Sequence, residues 1–403
     1  MTFRPFFGVL FVLVIACGVP DAPPPSGGVS LAPRNGACPR GFAVVSSDYA
    51  SSSVALLSQS GMILSAAVIS SGAVATGSSS ALSGDVVGAR ETWSSDSFFV
   101  IDRYPNAVAT RIKLASGTVA AQRSLATGFA SKPHDVIELG DGRAYVARYG
   151  TNPKVGREDF DGGSDLLVID ARSLSVTGRI DLGMAGDPFP ARPDRLLRFG
   201  DLVLVLLGRI DAAFKQAGPA RIAAIDPKTD SVAWTADLGA VQNCGAFALS
   251  QDGTKLAVAC TGVFASGAGQ LDASDVVVFD AAMRPLSLPT RLGLAQSLGA
   301  PLAPAVAFDD DRLLGIAYGD EASSHGDVVY GARGTDAPKV IATAGKAFVF
   351  GDVVCGCDHT CLFSDAERGT VRRLKWNGVS YDELPETKIA GAAGLPPRTF
   401  GAL

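Results

Sequence analysis

Beyond residue 40 the chain alternates short apolar runs with turn residues, and these runs carry no sustained 3.6-residue period. Four to eight residues rich in Val, Ile, Leu, Ala and Phe recur between Gly, Asp, Asn and Pro, which predicts strands rather than helices. Hairpins are clearest in "HDVIELGDGRAYVARYG" (134–150) and "FALSQDGTKLAVACTG" (247–262). In both, Asp-Gly supplies the positive φ that a tight turn between strands requires.

The pattern repeats. Apolar triplets ending in Asp stand at "LVID" (167–170), "AAID" (223–226) and "VVFD" (277–280), separated by 56 and 54 residues. Weaker copies end at Asp102 ("FVID"), Tyr330 ("DVVY"), Asp365 ("CLFSD") and Ser58 ("VALLS"), which brings the count to seven. The clearest copies are followed by a turn and another strand, as in "ARSLSVTGRIDLG" and "PKTDSVAWTADLG", and preceded by a hairpin. Four short strands in a unit of about fifty residues predict the blades of a β-propeller, whose circular closure leaves few open sheet edges. The expected fold class is therefore all-β, a seven-bladed β-propeller.

The termini predict how the ring closes. "GLPPRTFGAL" at the end of the chain aligns with "SKPHDVIEL", Pro397 with Pro133 and Leu403 with Leu139, and then stops as an innermost strand with no blade behind it. The missing strands begin at Gly41, Ser53 and Met62. One C-terminal and three N-terminal strands are expected to share the seventh blade and satisfy each other's backbone groups.

The N-terminus reads as an address. Phe6 to Ala16 is apolar, follows Arg4, and is too short to span a bilayer. Val14, Ile15 and Ala16 ahead of Cys17 resemble the lipobox of bacterial lipoproteins, which implies a signal peptide over 1–16 and a lipidated Cys17. The competing reading is an ordinary secretory signal cut near Ala16; either way the mature chain is exported. Residues 17–37 form a Pro/Gly/Ser-rich tether, and 38–403 the propeller domain. Gly18 after the cysteine favours the outer membrane by the enterobacterial sorting rule.

The hairpin at 134–150 and the recurrent "VID" strands resemble seven-bladed propellers of the YVTN type. That resemblance implies fold and leaves chemistry open, since members of the group include envelope scaffolds, lactonases and quinoprotein-like enzymes.

Composition narrows the choice. The protein carries 47% hydrophobic against 19% charged residues, with 35 Lys and Arg against 40 Asp and Glu, so a nucleic-acid surface is not expected. The expected partners are the membrane, through the lipid, and an envelope protein or glycan bound by a monomer.

Candidate site residues follow from position. In a propeller the starts of the innermost strands converge on the channel, and the alignment puts His134, Asp194 and Arg398 at one equivalent point. Asp135 and Arg195 stand beside two of them, and Asn243 is near. Mixed charges at a concave mouth suit a small ligand or a metal, although a structural ion-pair network would give the same list. "REDFDGGSD" puts Asp159, Asp161 and Asp165 around two glycines, a possible calcium loop that lacks the terminal Glu of an EF-hand. The row of Asp102, Asp170, Asp226 and Asp280 reads as turn-forming.

Export also governs the cysteines. Six remain besides Cys17, an even number in an oxidising compartment. Cys244 and Cys260 flank the "SQDGT" turn symmetrically and should face each other across one hairpin. Cys361 should return to Cys355 or Cys357, leaving the other for Cys38.

No GxSxG, Walker loop, zincin pair or CxxCH occurs. The expectation is an envelope-anchored lipoprotein whose propeller is a binding scaffold without catalysis. The alternative is a metal-dependent lactonase-like hydrolase, with His134, Asp135 and Asp194 at the channel mouth.

Overall fold

The computed structural model describes residues 28, 29, 31, 38–72, 77–322, 325–389 and 394–403. Cys17, the expected signal peptide and most of the expected tether lie outside the described residues. No helix among the described residues is long and apolar enough to cross a membrane.

Seven four-stranded antiparallel sheets follow one another along the chain. Blades one to six occupy 85–124, 133–181, 193–237, 244–291, 302–343 and 350–388, each a meander running outward from its innermost strand. Blade seven is the seam. Its innermost strand is Pro397–Ala402, paired with Gly41–Ser47, which continues to Ser52–Ser58 and Ile63–Ser70. The expected closure of three N-terminal strands with one C-terminal strand is present.

The near-continuous apolar strands have a simple cause. A blade is covered on both faces, so successive side chains serve opposite neighbours instead of alternating between core and water. Phe42 and Val44 join Leu362 and Val371 of blade six, whereas Ala43 and Val45 join Phe98 and Val100 of blade one. Comparable cores fill each of the other blade junctions.

The repeat count is right although two of its copies are out of phase. "LVID", "AAID", "VVFD", "DVVY" and "VALLS" lie on third strands, but Asp102 and Asp365 end runs on second strands. The second and third strands are equally apolar, so an apolar triplet with a terminal Asp does not separate them. Asp170, Asp226 and Asp280 accept backbone N–H groups two residues on, the expected turn role.

All three expected disulfide groupings occur: Cys244–Cys260, Cys355–Cys361 and Cys38–Cys357. The last ties the residues ahead of the seam to blade six.

Candidate functional site

Each meander begins and ends its crossing to the next blade on one face, so the ring has two unlike mouths. We call the side where innermost strands start the entry face, and the other the exit face. The hairpin turns on the exit face are mostly short. The entry face carries the long connections, including 152–162, 208–220 and 261–274.

At the entry mouth, His134, Asp194 and Arg195 come together. Asp194 Oδ1 lies 3.0 Å from His134 Nδ1 and 3.0 Å from Arg195 Nη1. Arg195 also donates to the His134 carbonyl at 3.2 Å. Burial would raise the Asp194 pKa, but Arg195 and His134 outweigh it and hold the carboxyl down at about 2. Burial lowers the His134 pKa in spite of Asp194.

The other candidates are elsewhere. Asp135 is buried and accepts the backbone N–H groups of Arg90, Val136 and Leu196, stapling blades one, two and three. Burial pushes its pKa up to about 6, against the pull of Arg195 and those three donors. Asn243 donates to the Gly262 carbonyl at 2.9 Å and, at φ 51°, corresponds to Lys132 and Arg192 rather than to His134. All three residues stand in the left-handed region immediately before an innermost strand. Arg398 reaches the Ser47 carbonyl and lies over the Tyr49 ring.

Neither expected metal set fits a cation. At the mouth, Asp194 already carries Arg195, and the positive charge of Arg103 bears on both it and His134. The donor set of the lactonase-like alternative is thus already committed, Asp194 to Arg195 and His134, and Asp135 to three backbone N–H groups. The calcium loop is corrected likewise. Asp165 is fully buried between Arg148 and Arg179, each with a nitrogen within 2.8 Å. Asp161 accepts the backbone N–H groups of Gly156, Arg157 and Glu158, and Asp159 is exposed. The carboxylate oxygens of Asp161 and Asp165 therefore face donors. Asp309, Asp310 and His359 do cluster on the exit face, yet Asp309 is bound by Arg312, His359 and the Tyr381 hydroxyl.

Two features were absent from the sequence expectation. The first is a plug. After the short strand Asp85–Gly88, the chain turns into the channel and pairs with the inner edge of the seam strand, Thr92 N–H donating to Ala402 and Ala402 N–H to Arg90. Arg90 reaches Asp352 of blade six at 2.6 Å, and the Glu91 carboxylate accepts Arg198 N–H of blade three. Ser94 N–H reaches Glu138 of blade two. Between the plug and blades three to six lies a cavity of 390 Å³ lined by Trp93, Arg198, Phe247, Leu249, Phe308 and Val354 among others. It opens away from the entry mouth.

The second is a rim of exposed rings. Tyr49, Tyr104, Phe214, Phe264 and Phe348 are each more than two-fifths exposed and all lie in entry-face loops, spread around most of the ring. They interleave with cations. Lys132 Nζ lies 5.5 Å from the Tyr104 ring and 5.9 Å from Phe214, while Arg192 lies 4.8 Å from Phe214 and 5.0 Å from Tyr149. Tyr149 stacks on His134 with centroids 4.3 Å apart. Lone aromatics in Gly-containing loops, as in "DAAFKQAG" and "GVFASG", were the available sequence signal.

No family model matches the chain, and no curated protein matches it. Solved propellers do. The Cps50 (Swd1) β-propeller domain of Myceliophteria thermophila is 10% identical with TM-score 0.55, covering 85% of this chain and 98% of its own. Kuenenia stuttgartiensis hydrazine synthase is 12% identical with TM-score 0.53, covering 87% of this chain and 99% of its own. A streptogramin B lyase is 10% identical with TM-score 0.50, covering 75% and 84%. The likeness is one of fold. Fold at such identity does not choose between scaffold and enzyme.

Proposed function

We propose that this chain is an envelope lipoprotein of the YVTN propeller type, anchored through Cys17 in the outer membrane, whose entry face binds a partner without catalysis. The observation that carries the reading is the division of labour between the faces. Monomeric proteins rarely leave many large apolar groups together in water, and such groups mark interaction surfaces. Here five exposed rings share the entry face.

The tether supports the orientation. Val29 N–H donates to the Leu114 carbonyl, and Val29 and Leu31 pack on the Leu114 cluster, all at an exit-face turn of blade one. Cys38 is bonded to Cys357 at the exit-face turn of blade six, and Arg40 reaches the carbonyls of Ser94 and Ser95. The eleven residue-to-residue steps from Cys17 to Gly28 span at most about 40 Å. A lipid on Cys17 therefore draws the exit face toward the bilayer and leaves the rings pointing away from it.

Two measurements test this. Cys17→Ala should abolish labelled-palmitate incorporation and move the protein out of the membrane pellet; unchanged pelleting refutes the anchor. A photo-crosslinker at Phe214 or Phe264 should give envelope adducts that the same group at Leu288 or Val379, on exit-face turns, does not. Equal adducts from both faces refute the assigned surface.

A further inference from the structure

The entry-face reading leaves the ligand class open, and one patch on that face narrows it; the inference rests on that reading. Four arginines among the described residues are buried: Arg148, Arg192, Arg209 and Arg372. Three of them hold a carboxylate, from Asp165, Asp187, and Asp365 with Glu383 respectively. Arg192 holds none. Its guanidinium donates to the carbonyls of Ile210, Tyr149 and Asp211, while the Asp211 carboxylate is turned to the N–H groups of Lys215 and Gln216. Carbonyls satisfy its hydrogen bonds, and the Asp211 carboxylate acts on its charge only from beyond ion-pair distance.

Lys132 is in the same condition, with no carboxylate within 4.0 Å among the described residues. Its ammonium stands between the exposed rings of Tyr104 and Phe214, and Arg192 lies against Phe214. Neighbouring acids are already committed: Asp194 to Arg195 and His134, Asp187 to Arg209, and Asp85 to Arg103. An acidic protein thus keeps two unpaired cations beside two solvent-facing rings.

The geometry points to this patch as a site for an acidic polysaccharide, with a uronate carboxylate on Lys132 and sugar rings laid over Tyr104 and Phe214. Charge complementarity selects an anion. The shape selects a sugar chain over a peptide. A peptide's apolar anchors need pockets, and the 390 Å³ cavity opens at the other mouth. A pyranose presents a flat face of weakly positive C–H groups that suits the negative face of an aromatic ring, while its hydroxyls stay in water. Further rings at Tyr49, Phe264 and Phe348 continue the platform around the rim.

The test is affinity electrophoresis of the full chain in detergent, through gels containing polygalacturonate or neutral dextran. Polygalacturonate should retard the protein and dextran should not, and 0.5 M salt should abolish the effect. Phe214→Ala and Lys132→Gln should each weaken retardation about tenfold, with Lys132→Arg retaining it. Both positions are solvent-accessible, and unchanged circular dichroism confirms that the variants fold. Equal retardation by dextran, no retardation by polygalacturonate, or full retardation of Phe214→Ala overturns the proposal. Crosslinks at Phe214 that persist without polygalacturonate binding would leave the entry face standing and reject only the ligand class.

Discussion

The seam strand is where the ring is most exposed to failure, and a single side chain tests it. Phe400 is 1% exposed and packs with Phe42, Val44 and Leu362, filling the junction between blades six and seven. Its backbone also serves the plug: the carbonyl accepts from Arg90, and the N–H donates to Asp352. Phe400→Ala leaves those backbone bonds in place and removes only the ring, so the cost is that of a buried Phe cavity, about 3–5 kcal/mol. Unfolding entropy scales at about 2.1 cal/mol/K per residue, and roughly 360 residues fold, so the expected fall in Tm is about 4–7 °C. Deleting Pro397–Leu403 goes further. It removes Leu403, also 1% exposed, strips Gly41–Ser47 of its inner partner, and unpairs the plug at Ala402. Two fully buried apolar side chains alone account for about 3–6 kcal/mol, comparable with the whole stability of many domains. The assay is calorimetry or circular dichroism under non-reducing conditions, with exposed Val379→Ala as control. A Phe400→Ala melt within 1 °C of the parent, or a deletion that melts cooperatively at the parental temperature, would refute ring closure through this strand.

Two further outcomes follow from the same geometry. Cys38→Ser with Cys357→Ser opens a covalent loop between residues 319 apart; chain entropy sets an upper value of about 5–6 kcal/mol, so denaturant midpoints should shift more than for loss of Cys355–Cys361, which closes a loop of only 6. An equal shift for both pairs would contradict that account. Asp194 has its pKa depressed to about 2, so its stabilisation is complete above its unfolded value and is lost as pH falls through about 2. Asp194→Asn should cost about 2.5 kcal/mol at pH 7 and about half that at pH 3 in urea titrations; a cost independent of pH would deny the ion pairs their role.

What could be read in the sequence was what repetition and termini encode. Asp-Gly turns, apolar strands and the match of Pro397 with Pro133 carry local information that a propeller repeats seven times, so small errors of phase, as at Asp102 and Asp365, leave the count intact. The Cys244–Cys260 pairing needed only hairpin symmetry. The site was less accessible because it depends on contacts between loops of different blades. Alignment could equate His134, Asp194 and Arg398, but it does not say which of them touch: His134 and Asp194 meet because their blades adjoin, whereas Arg398 has blade one between it and His134 and lies over Tyr49 instead. Asp161 and Asp165 had ligand spacing, yet nothing local revealed that Arg148 and Arg179 would claim Asp165.

The plug explains why the two faces can hold separate roles. Arg90, Glu91 and Ser94 tie blade one to blades two, three, six and seven across the channel. Because Arg90 is mostly withdrawn from solvent and paired with Asp352, with its N–H on Asp135, moving the segment would leave two carboxylates and a guanidinium without these partners in a poorly hydrated channel. The entry mouth is consequently a surface with a closed floor, and the exit cavity a separate compartment on the face where Val29 and Cys38 attach. For the ligand proposed at the aromatic rim, recognition would fall to the loops, the part of a propeller that sequence repetition constrains least.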